Sequence, residues 1–143
     1  MTRREQILAA VYALAVTVPG MSASSITRER AAPIAESECP ALDLAPESEP
    51  DPQSLGASAD QRNLTVVLKI YTAGNSAYSL ADPILQALHA NLYLDQTLGG
   101  LASMILSGST DFARDQADQI IGQTTLRYVI VYFTRVNDQS LAP

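Results

Sequence analysis

Twelve residues, Arg62–Ala73 (RNLTVVLKIYTA), restrict the fold more than any other stretch of this sequence. Leu64, Val66, Leu68 and Ile70 recur at every second position, while Thr65, Val67, Lys69 and Tyr71 take the positions between. Side chains alternate across a β-strand, so this spacing predicts a strand with one continuous aliphatic face that another layer must cover. A second long run, Thr124–Arg135 (TTLRYVIVYFTR), is apolar on both faces at its centre and reads as a strand interior to the sheet.

The covering layer is legible in two helical patterns. Thr2 and Glu5 have the spacing of a reciprocal N-terminal cap. Ile7, Val11, Leu14 and Val18 then fall on one helical face, predicting an amphipathic helix over residues 3–17 that stops at Pro19-Gly20. Arg3-Arg4 before an apolar run also has the outline of a secretory signal; the cap and the periodicity favour the helix. A second helix is expected over residues 79–93, capped by Ser79, with Pro83 tolerated in its first turn and Ala81, Leu85, Leu88 and Leu92 as its buried stripe.

The remaining elements are weaker. Ser24–Arg30 reads as a polar edge strand, 31–38 as a connector and Ala41–Ala45 as a short strand. Residues 46–61, with three prolines and four acids, read as an acidic loop with little chance of packing. Residues 102–107 and 109–115 read as two short strands around Gly108, and 136–143 as a frayed tail. The fold class expected from this order is α+β: one domain with a mostly antiparallel, mixed sheet flanked by two helices.

Composition removes several functions. No apolar run approaches the ~20 residues of a bilayer-spanning helix, so no membrane role is expected. One Cys and one His cannot build a zinc site alone. The net charge is −6, with a single lysine and eight scattered arginines, so the clustered basic face that grips a nucleic-acid backbone is missing. Cys39 and His89 are the only candidate nucleophile pair, but Glu36 and Glu38 disfavour a thiolate at Cys39. Asp111, Asp115 and Asp118 with Arg114 form the densest carboxylate group in the second half, without the spacing of a calcium loop. Tyr71, Tyr128, Tyr132 and Phe133 have too few basic neighbours for a base-stacking platform and read as core packing. No catalytic residue, metal or cofactor is expected.

Several segments taken in order resemble the tail terminator proteins of long-tailed bacteriophages, the minor tail protein U-like family. They are Val18-Pro19-Gly20 after the first helix, CPALDLAPE (Cys39–Glu47), the acidic loop, RNLTVVLKIYTAG (Arg62–Gly74), ADPILQALHANLYLDQTLGGLA (Ala81–Ala102) and TTLRYVIVYFTR. The resemblance implies a non-enzymatic virion protein, assembled in the host cytoplasm. Such proteins form a ring of six copies on the head-proximal end of the tail tube, stop its polymerisation and meet the head connector. The implied partners are further copies of the chain, the tail tube protein and the connector or neck protein, with DNA passing through the bore without specific binding. A neck-completion protein on the head side is the nearest alternative, and a small acidic module that binds a host protein is the next. A head-to-tail ring brings together two unlike patches. Opposite charges suit that geometry, so the expected subunit contacts are Arg28 and Arg30 on the polar edge strand and Asp111, Arg114, Asp115 and Asp118 on the acidic loop.

Overall fold

The computed structural model describes residues 1–114 and 120–143. Its elements are α1 (Arg3–Val16), β1 (Ile26–Arg28), β2 (Ala41–Ser48), β3 (Gln53–Ser54), β4 (Ala59–Ala73), α2 (Ala77–Leu94), β5 (Met104–Arg114) and β6 (Ile121–Arg135). The strands form one mixed sheet in the order β1-β2-β4-β6-β5, with β3 added beside the start of β4. β1 runs parallel to β2, and every other neighbouring pair is antiparallel. This is the expected α+β architecture.

The two long strands are its spine. β4 and β6 pair from Ala59 opposite Arg135 to Ala73 opposite Ile121 without a register shift. A slip of one residue would turn Leu64, Val66, Leu68 and Ile70 out of the core, so the aliphatic face of β4 fixes the pairing. Those four residues join Leu42, Leu44, Leu126, Tyr128, Ile130 and Tyr132 in a single core against Ile7, Leu8, Val11 and Ala15 of α1 and Ala81, Ile84, Leu88 and Leu92 of α2. Both helices therefore cover one face of the sheet, and the other face carries no helix among the described residues.

Each helix starts differently from its predicted form. Thr2 does cap α1, accepting from the Glu5 amide at 3.2 Å. The Glu5 carboxylate does not reach back to Thr2; it accepts from Arg28 at 2.6 Å, because a guanidinium is a stronger partner than a backbone amide. α2 begins at Ala77 with Ser76 at its cap position, two residues before the predicted start, which moves Pro83 from the first turn into the second. Tertiary contact explains the early start. Thr72 donates its hydroxyl to the Ala77 carbonyl, and Gly122 leaves room for Ala77: a Cβ at 122 would lie 2.6 Å from the Ala77 Cβ and 3.2 Å from the Tyr78 ring. Gly122→Ala is expected to cost about 1–3 kcal/mol, and Ala77→Gly in the same chain to restore most of it, read by urea unfolding. Additive losses in the double variant would show that the clash is not the cause.

Four other expectations need correction. Residues 46–61 are not an unpacked loop: β2 continues to Ser48, β3 pairs with β4 and β4 itself begins at Ala59. Residues 102–115 do not form two strands around Gly108 but one strand, β5, with an irregularity between Ser107 and Thr110. There β5 passes so close to β6 that a Cβ at Gly108 would lie 2.8 Å from the Arg127 carbonyl oxygen. The edge strand expected at Ser24–Arg30 shrinks to Ile26–Arg28, preceded by a 3₁₀ turn at Ala23–Ser25. The tail is not frayed: the Gln139 carbonyl accepts from the Arg3 amide at 2.8 Å and the Leu141 carbonyl from the Arg135 amide at 3.1 Å.

Candidate functional site

Four of the six charged residues predicted to meet a neighbouring copy are tied within their own chain. Arg28 donates to Glu5, and that bond holds the Glu5 carboxyl below its usual range and the guanidinium above its own. Arg30 donates to Glu38 at 2.9 Å and to the carbonyls of Ala32 and Pro33, each at 2.9 Å. Asp111 accepts from Arg127, which also reaches Glu47 at 3.0 Å. Arg114 donates to the Gly74 carbonyl at 3.0 Å and lies over the Tyr78 ring, 5.1 Å from its centroid. Asp115 and Asp118 lie outside the described residues. Arg28 lies on β1 and Asp111 and Arg114 on β5, at opposite edges of the sheet.

Cys39 and His89 line different cavities. Cys39 borders a space of about 290 Å³ with Glu36, Pro40, Thr72, Leu80 and Ile84. His89 borders one of about 260 Å³ between α2 and β5, with Leu85, Gly108, Thr110 and Leu126. The structure brings no nucleophile pair together there, and among the described residues no group of three or more Cys, His, Asp or Glu side chains is placed to hold a metal ion.

Three arrangements went unseen in the sequence. The first is a buried ion cluster at the lower end of the β4–β6 ladder. Glu49, with its side chain 9% exposed, receives Arg62 at 3.2 Å and Arg4 at 3.3 Å, and Tyr132 donates to it at 2.7 Å. Arg62 also donates to the Thr134 hydroxyl at 3.1 Å. Burial, and then the Glu49 carboxylate beside it, push the Tyr132 phenol upward, so Tyr132 remains a donor. Arg62 sits on the aliphatic face of β4, two positions before Leu64; a cation in that phase was the only signal available.

The second is the α2–β5 cavity. His89 Nδ1 lies 2.9 Å from the Tyr128 hydroxyl. The His89 ring lies against Tyr93, centroids 4.5 Å apart, and the Tyr93 hydroxyl meets Ser107 at 2.9 Å. Burial raises Tyr128 to about 12, so its phenol stays protonated at neutral pH.

The third is a shallow apolar groove of about 300 Å³ between α1 and α2, lined by Ala10, Ala13, Leu14, Leu94 and Leu98. Leu94 is 82% exposed. The nearby Asp95 closes its own turn: the Thr97 hydroxyl and the Gly99 and Thr97 amides donate to it, which lowers its carboxyl below the usual range. Comparison of the sequence with known protein families finds no match, and neither does comparison with curated proteins.

Proposed function

We propose that this protein is a structural component of a phage particle, a tail terminator that assembles as a ring of six copies on the head-proximal end of the tail tube. The ring stops tube growth and offers its other side to the head connector. The proposal starts from the resemblance of the ordered segments described above. The observation that supports it is the presence of two unlike apolar surfaces, which are liabilities for a lone monomer and assets for an assembly. One is the α1–α2 groove with Leu94; the other is the helix-free sheet face, where Met104 and Leu106 are 43% and 48% exposed. A head-to-tail contact needs two different patches, and a closing rotation turns that contact into a ring rather than a fibre. The formal net charge of −6 suits a bore that DNA traverses without sticking.

The test is electron microscopy of lysates from a phage lacking the gene. Overlong or ragged tails, unattached to filled heads, are expected. Free tails of normal length would move the protein to the head side of the joint. Intact infectious particles would overturn the reading.

A further inference from the structure

The open edge of the sheet carries a feature distinct from the two apolar surfaces described above. β5 is eleven residues long and is the last strand of its sheet; among the described residues no strand pairs with its outer side. Its irregularity between Ser107 and Thr110 opens the cavity toward α2, where His89, Leu85 and Leu126 meet Gly108 and Thr110. Aromatic side chains of α2 meet the strand on either side of the cavity. Tyr93 is bonded to Ser107 on one side, and Tyr78 meets Phe112 edge-on, centroids 5.2 Å apart, on the other. A terminal strand with a side-chain pocket beside it, walled by a helix, is the arrangement by which sheets capture extended peptides: the main chain supplies affinity and the pocket supplies selectivity.

We infer that β5 and the His89 cavity form a peptide-binding site, in which an extended segment of another protein adds to the sheet edge and places one side chain in the cavity. About 260 Å³ holds a side chain rather than a drug-sized ligand. Its walls define that side chain's chemistry. Leu85 and Leu126 favour a methyl-bearing group, while the pairing of His89 Nδ1 with the Tyr128 hydroxyl leaves Nε2 for a ligand, and a hydroxyl, which both donates and accepts, suits either tautomer of the ring. Threonine fulfils both conditions. The described charges beside this edge balance, Glu47 and Asp111 against Arg127 and Arg114, so the preference for basic flanks comes from the field of a chain of net charge −6. A second copy of this chain is a poor occupant. Its other edge strands, β1 and β3, have three and two residues, and in a β5–β5 pair the irregularity would fall at the centre of the ladder.

The probe is the synthetic peptide acetyl-Lys-Val-Thr-Val-Thr-Val-Lys-amide, titrated into the full-length protein and followed by amide and histidine-ring NMR shifts. Saturable shifts are expected along residues 104–112 and at His89. Replacing both lysines by glutamate should weaken binding severalfold, and N-methylation of alternate peptide amides should abolish it, a control that leaves the protein untouched. His89→Ala should weaken binding about fivefold while the shifts of β4 and β6 stay in place. No saturable shift at millimolar peptide, equal binding of the N-methylated peptide, or shifts centred on the α1–α2 groove would overturn the inference. So would concentration-dependent broadening of β5 without peptide, which would assign the edge to a second copy.

Discussion

Glu49→Ala is expected to lower the unfolding free energy by about 3–5 kcal/mol, the loss typical of breaking a buried ion pair by removing one partner. Among the described residues, Glu49 is the only acid common to Arg4, Arg62 and Tyr132. Removing it leaves Arg62, whose side chain is 10% exposed, with Asp60 at 3.7 Å and a neutral threonine hydroxyl. A guanidinium taken from water needs more than that. Arg62→Ala should cost a similar amount, since Glu49 then keeps only Arg4 and the phenol. The double variant Glu49→Leu/Arg62→Met should recover most of either loss, because apolar residues of similar volume often replace a buried pair at little cost. Urea unfolding with a linear extrapolation reads all three. A loss below about 1 kcal/mol in Glu49→Ala would show that the cluster is solvated like a surface pair.

That cluster also explains where the sequence could and could not be read. The spine was legible because its information is local: alternation in Arg62–Ala73 dictates both the strand and the face it buries, and the doubly apolar centre of Thr124–Arg135 dictates an interior place. The segment 46–61 was not legible, because prolines and acids argue for a loop unless a distant partner takes their charge. Arg62 takes the charge of Glu49 from thirteen residues away, and β4 extends over Ala59–Gln61 because the same residues find a ladder on β6. The start of α2 depends on Gly122, forty-five residues beyond Ala77, through a steric allowance with no local trace. The candidate sites follow the same rule. His89 stood beside an apolar stripe with nothing to indicate a phenol at Nδ1, and that contact exists only once β6 lies under α2. Arg28 ends the short edge strand and Arg30 lies beyond it, and their partners Glu5 and Glu38 come from a helix and a turn that sequence spacing does not connect to them.

For the proposed ring, those internal pairings redirect the search for a subunit contact from charge to apolar surface. Arg28, Arg30 and Asp111 already have partners, so a neighbouring copy gains little from them: exposed pairs are worth at most about 1 kcal/mol. Leu94 has nothing comparable. At 82% exposure beside Ala10, Ala13 and Leu14, it is the largest local gain open to an assembling chain, since burying a leucine side chain yields about 1.5–3 kcal/mol. A ring repeats the contact at every interface, so the effect multiplies. Leu94→Glu is therefore expected to abolish ring formation on tail tubes and to leave the variant a monomer by light scattering. Its thermal midpoint should stay within a few degrees of the parent, because an exposed position at the last turn of α2 contributes little to the fold. Leu94→Met, which keeps the apolar surface, should assemble normally. Charge reversal at Arg28 supplies the contrast: it should disturb Glu5 and α1 before it disturbs assembly. If Leu94→Glu still forms rings while the Arg28 reversal abolishes them without loss of stability, the contact is electrostatic and the groove between α1 and α2 faces solvent in the finished particle.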